Sequence, residues 1–332
     1  MALGRVQSGD VSWDPLWTEI RLGTDKYMRE QSTLKDQLCY VTEKDTVLLK
    51  TRGSRMRPVG PDPDPGIAQK EPRYEISLHE PTDYQSVFEA TRRAIDLGYD
   101  AEQLRGEWTQ ILRSDNELVT NTVINSMLTA GGFWNADAVP PPYKNNVFAG
   151  AHDHYLASNE LAGGVGVPTF AILNRLKHTV LEHGFDSGTR IVCLMNGTNA
   201  ETVENTAAWD NIPGPMPTPL LSDLQRTGMS PQWETNGMWV TVNDWVPLDY
   251  LLAFAVPTGA VNRICAWRLP AAGHPRTANA TPYRQSEQDG VIEEIWRLVR
   301  WCSSTVVDRD AGAAYYLGAD VWADYDFALN AG

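Results

Sequence analysis

Two histidines flanking an aspartate, His152-Asp153-His154, are the residues of this chain best equipped for catalysis. Imidazoles at that spacing ligate zinc or iron, and a carboxylate can complete the site, which makes a metal-dependent hydrolase one reading. His178 and His183 offer further ligands, but five residues of helix turn through roughly 500°, so those two face different directions. No HExxH run is present, and His79 and His274 stand in unrelated contexts. The plainer reading has His152 and His154 hydrogen-bonding backbone groups at a domain junction. Gly163-Gly164-Val165-Gly166, ahead of a helical pattern, resembles a phosphate cradle. Thr169 stands where the dinucleotide fingerprint needs its third glycine, and no strong strand precedes the run. A loop feeding a helix explains it better. Neither GxxxxGK[ST] nor GxSxG occurs. Glu293-Glu294 and Asp308 with Asp310 read as solvated surface, because the spacing that glycosidase carboxylates need is spatial. Cys39, Cys193, Cys265 and Cys302 form no CxxC pair and read as small buried hydrophobes. No residue set here commits the chain to catalysis, a cofactor or a metal.

The elements that surround these residues are more telling. In 332 residues there are 42 Asp and Glu against 28 Lys and Arg, a formal charge of −14 that argues against general binding to phosphate backbones. Hydrophobic residues at 42% and charged residues at 21% exclude a wholly disordered chain. Apolar runs such as Leu251–Val256 fall far short of the roughly 18 to 20 residues of a membrane helix. Asp10, Asp14 and Glu19 replace the apolar core of a signal peptide, so a reduced, cytoplasmic place of synthesis is expected.

Residues 1–38 are polar, with isolated anchors at Trp13, Leu16, Trp17, Ile20 and Leu22, and read as an arm that docks on something else. Residues 39–80 hold strand-like pieces at 39–41, 46–49 and 73–78, around a tip from Pro58 to Gly66 with four prolines that cannot be helix or central strand. Lys44, Lys50, Arg52, Arg55 and Arg57 face only Asp45 within that stretch, a local charge of +4. An isolated hairpin is marginal in water, so a long basic one on an acidic protein points to another acidic surface as its partner. A helix capped by Thr82, with Gln85 at the capping-box position and Gly98 at its close, is expected next. Asp100 with Gln103 then opens a second, along which Leu104, Trp108, Ile111, Leu112, Val119, Val123 and Met127 recur at helical spacing. From Ala101 to about Ala130 it spans on the order of 45 Å, which is a spine rather than an ordinary helix.

Beyond Pro140-Pro141-Pro142 a third helix is outlined by Phe170, Leu173, Leu176, Val180 and Leu181, closed by Gly184. Strands are expected at 191–195, 239–242, 250–256, 264–267, 295–302 and 305–307, with loop through the four prolines of 213–219 and small residues at 311–317. Twelve tryptophans scattered from Trp13 to Trp322 fit many separate contacts better than one sugar groove.

This order of segments resembles the major capsid proteins of tailed bacteriophages, whose Hong Kong 97-type fold is shared with encapsulin shells. The lead-in Phe148-Ala149-Gly150-Ala151-His152-Asp153-His154-Tyr155-Leu156 is similar to that of some phage capsid proteins, where such histidines are structural. Asn243-Asp244-Trp245-Val246-Pro247 followed by Tyr250–Phe254 resembles the strand-turn-strand late in the axial domain, and 297–311 resembles the closing peripheral strands. The resemblance implies an α+β capsid fold: N-terminal arm 1–38, extended β-hairpin E-loop 39–80, peripheral domain with spine helix 81–150, mixed α/β axial domain 151–285, and returning peripheral strands 286–332. It implies inter-subunit contacts through the E-loop (Lys44, Lys50, Arg52, Arg55, Arg57) and the arm (Trp13, Trp17). It implies hexamers and pentamers closing an icosahedral shell around phage double-stranded DNA held without sequence-specific binding, with portal, separate scaffolding protein and decoration proteins as partners. The place expected is the virion, after assembly in the host cytoplasm. Some members join an E-loop lysine to a neighbour's asparagine, a role open to Lys50 or Lys44, although no partner asparagine is identified.

Charge alone leads the same way. Residues 1–80 hold 12 basic and 13 acidic side chains, residues 81–332 hold 16 and 29, so the chain offers complementary surfaces to its own copies. Heterologous contacts of that kind close into rings and curved shells. An acidic wall also leaves packaged DNA free to move, where a cationic one would hold it by counterion release. The readings carried forward are a phage capsid subunit, an encapsulin-type compartment in the same fold, and a metal-dependent hydrolase built on His152, Asp153 and His154.

Overall fold

The computed structural model describes residues 13–30, 34–48, 75–91, 101–129, 154–158, 166–182, 191–205, 210–211, 233–235, 238–256, 263–270, 281–285, 292–308 and 311–325. The hairpin tip with Lys50, Arg52, Arg55 and Arg57, the caps at Gly98 and Asp100, His152, Asp153, Gly163 to Val165, Gly184 and the proline runs at 140–142 and 213–219 lie outside those residues.

The organising element is α3 (Ala101–Leu128), the expected spine, about 42 Å long at 1.5 Å per residue. Beside it runs β13 (Ile292–Val306), a single 15-residue strand where two shorter ones were expected. Its even-numbered side chains share one face by the two-residue strand period. Trp296 and Leu298 pack with Leu104 and Trp108, Arg300 meets Asp115, and Ser304 meets Ser126 at 3.0 Å. From Trp296 to Ser304 and Val306 the strand covers about 30 Å, and from Leu104 to Ser126 the helix covers about 33 Å, so the two stay matched along their whole contact.

That contact carries a five-stranded sheet in the order β1 (Cys39–Thr42), β11 (Cys265–Arg268), β13, β12 (Thr281–Gln285), with β4 (Thr82–Thr91) also paired to β13. β4 corrects the helix expected from Thr82. Tyr84, Ser86 and Phe88 are the more buried positions and Gln85, Val87 and Glu89 the open ones, a period of two. The Thr82/Gln85 capping signal is worth about 1 kcal/mol, whereas ten residues in antiparallel register with β13 satisfy the backbone of both strands. That partner lies some two hundred residues away in sequence, where no local pattern reveals it.

The C-terminal half of α3 covers a second sheet of seven strands: β5 (Tyr155–Ala157), β14 (Gly312–Tyr316), β10 (Tyr250–Ala255), β6 (Ile191–Met195), β9 (Met238–Val242), β8 (Trp233–Thr235) and β7 (Asp210–Asn211). All five residues of β6 are buried because both faces are covered. Val192 and Leu194, with Trp239, Leu252 and Phe254, face the core containing Val119, Val123 and Met127 of α3. Ile191, Cys193 and Met195 face a core with Ile172, Leu173, Leu176 and Val180 of α4 (Phe170–Leu181) and Ala200 and Val203 of α5 (Gly197–Asn205).

Sheet membership does not follow chain order. β11 and β12, inside 151–285, pair with β13, whereas β14, inside 286–332, returns to the seven-stranded sheet. Two N-terminal helices complete the fold: the 18-residue α1 (Trp13–Glu30) and the short α2 (Leu34–Leu38), the latter burying both its leucines in the main core. The chain also crosses itself through β2 (Thr46–Leu48) and β3 (Glu75–Ser77), an antiparallel pair. Among the described residues no helix is long and apolar enough to cross a membrane.

All four cysteines are buried free thiols. Burial pushes Cys193 and Cys302 up to about 12, with the carboxylate of Asp115 adding to the rise at Cys302. At pH 8 a thiol of pKa about 12 is ionised in about one part in ten thousand, so native Cys193 and Cys302 should resist Ellman's reagent while the unfolded chain titrates all four thiols. The folded state holds these protons more tightly than the unfolded one. Stability is therefore full below the ordinary thiol range and falls as pH rises from there toward about 12, by up to about 1.4 kcal/mol per pH unit per thiol. Rapid native labelling of either residue, or flat alkaline stability, would contradict the burial.

Candidate assembly surfaces

The arm is not left free over its described length. α1 buries Leu16 and Ile20 against Leu104, Trp108 and Trp296, Trp108 Nε1 donates to Thr24 Oγ1 at 3.0 Å, and Tyr27 OH donates to Leu112 O at 2.7 Å. Arg105 on α3 holds Glu19 at 2.9 and 2.8 Å and Glu102 at 2.7 Å. The Arg105 hydrogen bond lowers the Glu19 carboxyl below its usual range. So the expectation that the arm docks elsewhere is corrected for residues 13–30: it docks first on its own body. Trp17 is half-buried, its ring 6.1 Å from that of Trp296. Trp13 opens the same helix.

The root of the basic excursion is fastened more tightly than a free hairpin. Thr46, Val47 and Leu48 pair with Ser77, Ile76 and Glu75, and Leu78 N donates to Asp45 O at 2.8 Å. Arg268, at the end of β11, binds the Asp45 carboxylate and donates to the carbonyls of Leu78 and His79 at 3.2 and 3.3 Å. His79 is tied to β13 through its carbonyl, which accepts from Ser303 Oγ at 2.7 Å, and its amide, which donates to Thr305 Oγ1 at 3.1 Å. Burial lowers the pKa of its imidazole, so the neutral ring is favoured beside this clamp. Lys44 is exposed next to the root. Hence Asp45 and the Leu78-His79 pair, which flank β2 and β3, are tied to two strands of the five-stranded sheet. Asp45→Ala should cost no more than about 1 kcal/mol, since its carboxylate is exposed. It should nevertheless speed hydrogen exchange at Leu78 and Ile76, and unchanged exchange there would refute the clamp.

The histidine motif is structural where it is described. His154 is fully buried, its Nδ1 lies 2.6 Å from Gly312 O, and its own carbonyl accepts from Ala314 N at 2.9 Å. These bonds fasten the start of β5 to β14. Among the described residues no three His, Cys, Asp or Glu side chains gather as metal ligands. The glycine run resolves similarly. Gly166, at φ +77°, is the conformation glycine adopts without strain, and its N–H is already given to Leu317 O at 2.8 Å rather than offered to a phosphate. Thr169, the residue that broke the fingerprint, is the extended N-cap of α4, its hydroxyl accepting from Ile172 N at 3.4 Å.

Sequence reasoning missed Arg268 and the Asp115–Arg300 pair. A signal for the second was present: Asp115 falls on the apolar stripe of α3, seven residues after Trp108 and four before Val119, and Arg300 stands between Leu298 and Cys302 at alternate positions of its strand. A charge in each of two buried faces calls for a partner.

No family model matches the chain, and none of the curated proteins does. Solved structures do. A structure from Mycobacterium phage Patience aligns with a TM-score of 0.61 at 17% identity, over 96% of this chain and 92% of its own. The capsid of Ralstonia phage GP4 aligns with a TM-score of 0.55 at 12% identity over 89% and 93%, and the capsid of cyanophage P-SCSP1u with 0.53 at 10% over 88% and 90%. Identities this low speak for the backbone alone, and the coverage shows that nearly the whole chain takes part. With its spine helix packed across a five-stranded and a seven-stranded sheet, this chain has the Hong Kong 97-type fold.

Proposed function

We propose that this chain is a major capsid subunit, a structural protein that assembles as hexamers and pentamers into an icosahedral shell around phage double-stranded DNA. The observation that carries the reading is the likeness to phage capsids over about nine-tenths of the chain. The charge pattern supports it: a +4 stretch, 44–57, on a protein of charge −14 has a favourable surface on another copy. The acidic balance suits a container whose DNA must enter and leave. Lateral contacts between copies, rather than a catalytic site, are the chemistry this role needs. Portal, scaffold and decoration proteins would be its partners in the virion.

Negative-stain microscopy of the expressed chain tests this. Closed, icosahedral particles are expected in the void fraction of a size-exclusion column. Uniform particles filled with a co-purifying protein would favour a cargo compartment of the same fold, and a catalytically competent monomer with a stoichiometric metal would favour the hydrolase.

A further inference from the structure

Cys39 and Cys265 stand opposite one another on adjacent strands. β1 and β11 run parallel with these two residues as direct register partners, followed by Tyr40 with Ala266. Successive side chains of a strand alternate between its faces. Tyr40 and Ala266 lie with Leu78 and Val307 in a small cluster on one face, whereas both cysteines lie on the other, in the main core with Val123 and Met127 of α3. The two thiols therefore leave the sheet side by side. Neighbouring strands are about 4.8 Å apart, inside the roughly 4.4 to 6.8 Å that separates the Cα atoms of a disulfide. The other cysteines have no such partner: Cys193 pairs with Val240 and Ala253, and Cys302 with Thr82.

The surroundings of the pair are polar on one side. Ser126 of α3 and Ser304 of β13 share a hydrogen bond of 3.0 Å, and both hydroxyls reach the Cys265 thiol. Its contact with Cys39, followed by burial, pushes the Cys265 thiol well above its ordinary range, and the two hydroxyls pull it back. The closed fold thus keeps Cys265 protonated and slow to react. β1 is the element whose opening exposes it. It is four residues long, stands at the end of the sheet order, and has β11 as its only strand partner among the described residues. Local opening of such an element costs less than unfolding the core it borders.

We propose that Cys39 and Cys265 are a redox pair whose disulfide staples β1 to β11, with a small-molecule disulfide of the glutathione type as oxidant. One protein thiolate attacks a sulfur of the small disulfide, breaks its S–S bond and releases one small thiolate. The second protein thiolate attacks the mixed disulfide, forms the Cys39–Cys265 bond and releases the other. Two electrons pass to the small disulfide, and the two protein protons end on the two released thiols. The bridge closes a loop of more than two hundred residues, so it removes much of the freedom of the unfolded chain. It also fastens β1, which joins α2 to the root of the hairpin, to the strand that carries Arg268. A reducing compartment keeps the pair open, and an oxidising medium closes it.

The test incubates the reduced full chain in native buffer with glutathione disulfide, alkylates the remaining thiols and digests without reductant for mass spectrometry. A linked Cys39–Cys265 peptide pair is expected, lighter than the two thiol peptides together by two hydrogens and separated again by dithiothreitol. Thiols titrated in denaturant should fall from the four of the reduced chain to those of Cys193 and Cys302. The bridged chain should melt roughly 5–10 °C above the reduced one, and Cys39→Ser should show neither the link nor the shift. Both cysteines still free after a day, a glutathione mixed disulfide as the end product, or a link to Cys193 or Cys302 would overturn the proposal. So would equal melting of the bridged and reduced chains. None of these readouts requires particles, so a negative result here leaves the shell reading standing, and a chain that forms no particles still tests the pair.

Discussion

Arg300→Ala is expected to destabilise the subunit by about 3–5 kcal/mol, a large share of the 5–15 kcal/mol that holds an ordinary domain folded. Arg300 Nε lies 2.5 Å from Asp115 Oδ1 and Nη2 lies 2.6 Å from Oδ2, a two-pronged pair whose side chains are only 5% and 4% exposed. Burial opposes the charge on Arg300, and the hydrogen bonds and field of Asp115 outweigh it, holding the guanidinium more firmly protonated than usual. Removing either partner strands the other as an uncompensated charge between α3 and β13. Asp115→Ala should therefore cost a similar amount. Replacing both, Asp115→Leu with Arg300→Met, removes the desolvation penalty along with the attraction and should return most of the loss. Denaturant unfolding of dissociated subunits reads all four chains. Two single variants that unfold at the wild-type midpoint would show that the pair does not join the spine to the sheet.

Excising residues 49–74 and closing the gap with a short Gly-Ser turn should abolish particles while leaving a soluble, folded subunit. The cut spares β2, β3, Asp45 and the Arg268 clamp, so the five-stranded sheet keeps its edge contacts. It removes Lys50, Arg52, Arg55 and Arg57 but none of the residues in the two main cores. Local stability should change by little, because lengthening or shortening a closed loop alters its entropy only slowly. Assembly, in contrast, loses every cationic side chain of the excursion except Lys44. Size-exclusion chromatography with circular dichroism separates the outcomes. Normal particles from the excised chain would refute the assembly role of the hairpin, and an unfolded product would show that it serves the subunit itself.

Helices whose partners are local were legible in the sequence. The periodicity from Leu104 to Met127 places α3 within two residues, because a helix closes its hydrogen bonds on itself and needs only a stripe to declare its face. β6 is legible for a different reason: a five-residue apolar run is what burial on both faces requires. β4 was not. Its sequence TDYQSVFEAT carries a cap signal and a weak two-residue alternation, and what decides between them is β13, some two hundred residues on. The arm shows the same limit. Leu16, Trp17 and Ile20 read as anchors, but the surface that receives them, Trp108 with Trp296, comes from two distant segments.

The surface features divide along the same line. The charge of the 44–57 stretch is a property of consecutive residues, so it stands out in the sequence. The pairing of Gly166 and Asp249 with Leu317 does not, because those residues become neighbours only when β14 returns between β5 and β10.

Sedimentation velocity of the purified wild-type chain at rising concentration is the most direct measurement. Boundaries many times heavier than a 36.9 kDa subunit, sharp enough for closed particles and lost when residues 49–74 are excised, are the predicted result. A single slow boundary at the mass of one chain, unchanged to the solubility limit, would contradict it.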